Sequence, residues 1–214
     1  MTVPRWLPTL TLALLAAPLA AAPKAVAAKA AVAGAPVAQP LTCSLPVSQR
    51  DSAASLKRRF GRAAVVTSIA GPEGTTVRAL VLWARDPRRR LEVTFWDEQM
   101  TKPAGVLLGD GARHWSVGGI RLGDSLARVE AINGKPFQLG GFEWDYGGYL
   151  QDARGGKLGV LPGGCRVSVR FGLSGKGAVE NGILGDVTLQ SSEAKVRAAL
   201  PVVTDLAIGW SSPE

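Results

Sequence analysis

Residues 118–137 read GGIRLGDSLARVEAINGKPF, and this stretch decides how the rest of the chain is interpreted. Asp124 favours the start of a helix, and apolar side chains follow it at helical spacing. The apolar positions are Leu126, Val129 and Ile132. Asn133-Gly134 provides a left-handed helix end, and the proline two residues later cannot continue a helix. The stretch therefore predicts one short helix that ends at Asn133-Gly134.

The residues after this helix alternate as antiparallel β-strands do. Aromatic and acidic side chains follow one another as Phe142, Glu143, Trp144, Asp145 and Tyr146. On a strand, the aromatic residues would share one face and the carboxylates the other. After glycine-rich turns, residues 165–173 alternate again. We therefore predict that residues 142–146 and 165–173 form a hairpin with one buried face.

A similar order of elements occurs earlier in the chain. Asp51-Ser52 opens a helical segment that Gly61 closes, and hairpin strands follow at 76–83 and 91–96. A third helix is capped by Ser191-Ser192, and a last strand covers residues 202–210.

These elements predict an α+β fold, an antiparallel β-sheet with three short helices on one face. They also predict a tandem αβββ repeat. The first copy spans residues 41–117, and the second spans residues 118–214 with the C-terminal helix and strand. Chance recurrence of common capping residues is the alternative explanation of the repeat.

The first 40 residues differ in composition from the rest of the chain. Arg5 precedes an apolar run from Leu7 to Ala22, as in a secretory signal peptide, and Ala25-Val-Ala27 fits a cleavage site. The run is shorter than the ~20 residues of a membrane-spanning helix, although an uncleaved anchor is the alternative. We predict a signal peptide at 1–27 and a disordered Ala/Pro-rich linker at 28–40. The protein would then be periplasmic or secreted, with no stable membrane span after cleavage.

Cys43 and Cys165 are the two cysteines of the chain. In an exported protein, two cysteines form a disulfide by default, because the compartment is oxidising. Cys165 is in phase with the apolar positions of its strand. We therefore predict a Cys43–Cys165 disulfide, with two buried free thiols as the alternative.

The formal net charge of +8 is a moderate basic excess. The sequence Lys57-Arg-Arg59 lies on a predicted helix, and Arg88-Arg-Arg90 lies in a predicted hairpin loop. Such runs are usually solvated, and they could also contact anionic lipid or a cell-wall polymer. We expect no nucleic-acid partner, because an exported chain has little contact with chromosomal DNA.

Glu143 and Asp145 are the one pair of side chains that could indicate catalysis. On one face of a strand they would stand about 6.6–7 Å apart, within the range for an inverting glycosidase. A solvated acidic strand face explains them as well. His114 is the single histidine and has no nucleophile motif beside it. We therefore expect no catalytic residue, no cofactor and no metal site.

Residues 140–156 concentrate aromatic and acidic side chains in an otherwise basic chain, and Trp96 falls out of phase with the core of its own strand. These features indicate a recognition surface, although a role in the core is the alternative. The predicted binding residues are Trp96, Glu143, Asp145, Tyr146, Tyr149 and Asp152. We predict an exported, non-catalytic binding protein for an envelope protein or a cell-wall polymer. A carbohydrate-active hydrolase that uses Glu143 and Asp145 is the alternative.

Two motifs carry a resemblance to known families. GIRLGDSLARVEAINGKPF (119–137) followed by GFEWDYGG (141–148) resembles an uncharacterised family of exported bacterial proteins with an NGKPF…GFxWDYGG motif. More distantly, residues 120–129 are similar to the helix start in the repeat fold of outer-membrane small lipoproteins and the β-lactamase-inhibitor protein. That resemblance implies helices packed on an antiparallel sheet, with tandem copies forming a concave binding face. It implies no catalytic residue.

Overall fold

The structure, a computed structural model, describes residues 38–212. Its helices are α1 (Ala53–Phe60), α2 (Leu126–Asn133) and α3 (Ala194–Ala198). Its strands are β1 (Gln39–Pro40), β2 (Ala64–Ala70), β3 (Thr76–Leu82), β4 (Leu91–Phe95), β5 (Pro103–Leu108), β6 (Trp115–Ser116), β7 (Gln138–Gly140), β8 (Leu150–Asp152), β9 (Arg166–Gly172), β10 (Thr188–Gln190) and β11 (Val202–Gly209). Short 3₁₀ turns cover Gly61–Ala63, Pro72–Gly74 and Asn181–Ile183.

The strands form one large and two small sheets. Six antiparallel strands make the large sheet in the order β2-β3-β4-β5-β11-β9. The order β10-β7-β8 gives a second antiparallel sheet, and β1 pairs with β6 in parallel. The predicted α+β fold with mostly antiparallel sheet is confirmed.

The main core lies on one face of the six-stranded sheet. Leu80, Val93 and Leu206 project from this face, and the three helices add Leu56, Val129 and Val196 to the same buried cluster. Each such apolar side chain stabilises the fold by about 1.5–3 kcal/mol when it is fully buried. On the opposite face, a small cluster of Ile69, Ala79 and Val81 contains no helical residue.

The helix ends follow local capping chemistry. The hydroxyl of Ser52 accepts a hydrogen bond from the backbone N–H of Ser55 at 3.1 Å and opens α1. Ser125 caps α2, whereas the predicted cap, Asp124, accepts the N–H of Arg121 at 2.9 Å. Gly134, with φ of 83°, ends α2 as predicted. At α3 the residue before the helix is Glu193 rather than the predicted serine pair.

The predicted disulfide is confirmed. The Cα atoms of Cys43 and Cys165 are 5.4 Å apart, and both residues are buried in the main core. The backbone N–H of Cys165 also lies 3.1 Å from the sulfur of Cys43. The bond therefore ties the segment before α1 to the start of β9.

The prediction that residues 142–146 form a strand is wrong. They belong to a turn in which Glu143 has φ of 62°, so the expected alternation of faces does not exist there. Residues 165–173 do contain a strand, β9, but its antiparallel partner is β11. The alternating residue types belong to a turn that has its own internal contacts.

The predicted disordered linker is partly corrected. Gln39 and Pro40 form β1, which pairs with Trp115 and Ser116 of β6, so the folded unit begins before residue 41. The predicted signal peptide at 1–27 and the linker up to residue 37 lie outside the described residues.

The topology does not confirm the tandem repeat. From the first predicted copy, β2 to β5 form a continuous meander in the six-stranded sheet. From the second copy, β7 and β8 lie in the three-stranded sheet, whereas β9 joins the large sheet beside β11. The strands of the two copies therefore do not occupy equivalent places.

The hairpin of β2 and β3 extends beyond the sheet. The two strands pair along their whole length, but β4 pairs only with residues 80–82 of β3. Residues 67–79 therefore project past β4, and we call them the hairpin arm.

Candidate functional site

Residues 141–149, which we call the aromatic turn, cover an edge of the large sheet. β9 is the edge strand, and the N–H of Phe171 donates to the carbonyl of Gly148 at 2.8 Å. The N–H of Gly148 in turn donates to the carbonyl of Gly141 at 2.8 Å. Exposed edge strands can pair with other chains, and proteins commonly cover them. The aromatic turn therefore has a structural role, because it covers the edge strand β9.

Arg170 on β9 holds the aromatic turn in place. Its Nε donates to the carbonyl of Gly147 at 2.8 Å, and a terminal nitrogen lies 3.2 Å from the carbonyl of Trp144. Its guanidinium also lies over the ring of Tyr149, 5.2 Å from the centroid. Phe142 is buried. Tyr149 thus packs against an arginine of the fold.

Tyr146 connects the aromatic turn to the hairpin arm. Its side chain is 51% exposed, and its hydroxyl donates to a carboxylate oxygen of Glu73, 2.5 Å away at the tip of the arm. This hydrogen bond raises the pKa of Tyr146, and lost hydration and the charge of Asp145 raise it further. The phenol must therefore be protonated for the contact to form.

The link between Tyr146 and Glu73 predicts a delayed tyrosine titration. The chain has two tyrosines, so Tyr149→Phe leaves Tyr146 as the only phenol. We expect its pKa to lie above the ordinary value of about 10. Below a pH of about 10 the Tyr146–Glu73 contact stabilises the fold. The contact is lost as the pH rises through the raised pKa of Tyr146. Ultraviolet absorbance of the phenolate measures this titration.

The matched control for this titration is Tyr149→Phe combined with Glu73→Ala. The alanine removes the acceptor and with it the hydrogen bond, so the pKa of Tyr146 should fall back towards about 10. Identical titration curves for the two variants would show that Glu73 does not hold Tyr146 in solution.

Trp96 stands on a hydrogen-bonded loop at the end of β4. Its side chain is 50% exposed. The carboxylate of Asp97 accepts the hydroxyl of Thr101 at 2.7 Å and the backbone N–H of Lys102 at 2.7 Å. These hydrogen bonds, with that of Thr101 first, lower the pKa of Asp97. The loop that follows the indole is therefore fixed by its own contacts.

Two grooves lie beside Trp96, and we call the indole with these grooves the Trp96 surface. One groove of about 410 Å³ lies between Trp96 and the hairpin arm, where Val77 and Arg78 line it. The other, of about 340 Å³, is lined by Trp96, Arg166 and Trp210. An exposed indole between two guanidinium groups can pack on an apolar surface and bind anionic or hydroxyl oxygens.

One of the two predicted carboxylates lines a groove. Glu143 is exposed and lines a groove of about 210 Å³ with Arg170 and Thr204, whereas Asp145 does not line it. Both residues lie in the aromatic turn and not on a strand face. The strand spacing that suggested a hydrolase is therefore absent. The carboxylate of Asp152 accepts the backbone N–H of Arg154 at 2.7 Å, a local turn contact.

The hairpin arm contacts Tyr146 and lines one of the grooves beside Trp96. Its tip meets Tyr146 through Glu73, and its side faces Trp96 across the larger groove. Nothing in the sequence pattern indicated that Val77, Arg78 or Arg166 lies beside Trp96. The alternation along residues 165–173 indicated that Arg166 faces away from the core. Its position beside Trp96 depends on how β9, β11 and β5 pair.

Residues 38–212 contain neither a cluster of three or more side chains able to bind a metal nor a helix long and apolar enough to cross a membrane. Comparison of the chain with protein-family models, with curated proteins and with solved structures found no match. The resemblance to exported bacterial proteins therefore stays a prediction.

Proposed function

We propose that this chain is an exported, non-catalytic binding protein of the cell envelope or the extracellular space. Its partner is an envelope protein or a cell-wall polymer. The observation that carries the proposal is the Trp96 surface, where a half-exposed indole on a hydrogen-bonded loop stands between two grooves. A rigid aromatic ring offers a large contact area at a small cost in conformational entropy.

The disulfide supports export. Cys43 and Cys165 are both buried and joined, and such bonds persist in oxidising compartments outside the cytoplasm. The apolar run at residues 7–22 provides the kind of signal that export requires. These two features are independent of each other and agree on a periplasmic or secreted protein.

The composition of the grooves favours a partner with both apolar and anionic or hydroxyl groups. Ala104 and Gly209 line the groove beside Trp96, Arg166 and Trp210, so small residues form part of its surface. An extended polymer or a peptide can lie flat on such a surface. Arg78 and Arg166 then provide charged donors at either side of the indole.

Trp96→Ala tests this proposal. We expect at least about a tenfold loss of binding, as for a central aromatic contact, and a change in stability within about 0.5 kcal/mol, as for an exposed residue. Binding is measured by co-sedimentation with isolated cell-wall sacculi and by capture of cross-linked partners from envelope extract. Thermal melting measures stability.

Val179→Ala is the control, because Val179 is exposed and lines neither groove. It should bind as the wild type does. Equal binding by wild type and Trp96→Ala would overturn the proposal. Turnover of the wall polymer by the purified protein would show an enzyme instead.

A further inference from the structure

The fold joins the two basic runs of the sequence, although they lie far apart along the chain. The ring of Phe60 at the end of α1 packs edge-on against Trp83, with 5.4 Å between centroids. The N–H of Trp83 donates to the carbonyl of Ala63 at 2.8 Å. The end of α1 therefore lies directly beside the turn between β3 and β4.

A third segment, residues 113–115, completes this surface. The indole N–H of Trp115 donates to the carbonyl of Arg89 at 2.9 Å, and the backbone N–H of His114 donates to the carbonyl of Arg88 at 2.9 Å. The rings of Trp83 and Trp115 are 5.6 Å apart. We call residues 57–62, 83–90 and 113–115 the basic patch.

The basic patch holds the excess charge of the whole chain. Residues 57–62 carry four cationic side chains, residues 85–90 carry four and Arg113 is the ninth, with Asp86 as the one carboxylate. The chain has 25 basic and 17 acidic residues, so 16 of each remain elsewhere. Two patch arginines form ion pairs with carboxylates outside it, Arg59 with Asp51 and Arg90 with Glu92.

Aromatic rings hold some of these arginines in fixed positions. The guanidinium of Arg89 lies 4.5 Å from the ring centroid of Trp83, and its buried Nε has no hydrogen-bond partner within residues 38–212. The guanidinium of Arg59 lies 5.0 Å from the ring centroid of Phe60. A guanidinium that is already ordered loses less entropy when an anion binds.

We propose that the basic patch is a second binding site and that its ligand is an anionic glycan, a linear sugar polymer with regularly spaced carboxylate, sulfate or phosphate groups. Seven of its nine cations have no carboxylate partner among the described residues. A small anion contacts only two or three cations, whereas a charged polymer is long enough to extend across the three segments of the patch. The site is separate from the Trp96 surface, because no patch residue lines its grooves.

The chemistry of the patch favours a glycan over a membrane or a nucleic acid. The large exposed apolar side chains of residues 38–212 lie outside it, and binding to a lipid surface normally needs an apolar group to insert. Its aromatic rings pack on one another and on arginines, so none forms an open platform for stacking bases.

The test compares two variants of the full chain that remove the same charge. Arg62→Ser, Arg85→Ser and Arg113→Ser together remove one cation from each patch segment, at exposed positions that form no ion pair among residues 38–212. The control combines Arg121→Ser, Arg128→Ser and Lys157→Ser, which are also exposed. The probes are fluorescent heparin oligosaccharide and neutral dextran, and binding is measured by anisotropy across a range of salt concentrations.

We expect wild type and control to bind heparin alike and dextran not at all. The patch variant should lose at least about tenfold in affinity, and its log–log salt dependence should fall by about 2–3, as three lost ionic contacts imply. If both variants lose the same affinity for heparin, the proposed site is wrong, because the loss would then come from the lower net charge of the protein and not from the patch. Tighter binding to phosphatidylglycerol vesicles or duplex DNA than to heparin would overturn the assigned ligand.

Discussion

Loss of the Cys43–Cys165 disulfide is expected to lower the free energy of unfolding by about 4–5 kcal/mol. The two residues are 122 positions apart. A cross-link over such a loop removes conformational freedom from the unfolded chain, and its contribution grows slowly with loop length. Since small domains have total stabilities of about 5–15 kcal/mol, the change would leave a marginal fold.

Urea denaturation of the oxidised wild type and of Cys43→Ala with Cys165→Ala measures this loss. The alanine pair avoids placing new hydroxyl groups in a buried site. Reduced wild type is the control, since it removes only the covalent bond, and we expect most of the loss there too. If reduction leaves the urea midpoint unchanged, the disulfide does not stabilise this fold.

The helix ends were predictable because their signals are local. A serine before α1 and glycines after α1 and α2 act within one turn of the helix, so no distant residue is needed to interpret them. The cap of α2 moved by one residue because Asp124 uses its carboxylate on the preceding turn. Such choices between adjacent capping residues depend on contacts that periodicity does not record.

The aromatic turn was not predictable as a turn because its composition imitates a strand. Alternating aromatic and acidic residues normally indicate one buried and one solvated face. Here Glu143 adopts a left-handed conformation and the carbonyls of the turn bind Arg170 on a neighbouring strand. That arginine lies more than 20 residues away along the chain, so local alternation carries no information about it.

For the candidate surfaces too, the sequence predicted the features that depend on neighbouring residues and not those that depend on distant strands. The phase of Trp96 within its own strand indicated an exposed indole, and the structure agrees. Its grooves depend on the hairpin arm and on the pairing of β5, β11 and β9, which local sequence patterns do not indicate. The sequence also shows the two basic runs. That they form one patch depends on tertiary contacts such as that between Phe60 and Trp83.

Gly148→Ala is expected to destabilise the protein by about 2–4 kcal/mol. Gly148 has φ of 76°, where an L-residue costs about 1–2 kcal/mol. A methyl group there would also overlap the backbone carbonyl oxygen of Phe171. The aromatic turn would have to move away from β9 and weaken the backbone hydrogen bond from Phe171 to Gly148, which has a net value of about 0.5–1.5 kcal/mol.

Gly123→Ala separates the two causes of that loss. Gly123 has φ of 87°, but a methyl group there has no neighbour within 4 Å, so its substitution should cost only the about 1–2 kcal/mol of backbone strain. The difference between the two variants in urea denaturation then measures the close approach of the turn to β9. Because that approach covers the sheet edge, Gly148→Ala should also increase self-association in light scattering. Equal stability of the two variants would mean that the aromatic turn does not press against β9 in solution.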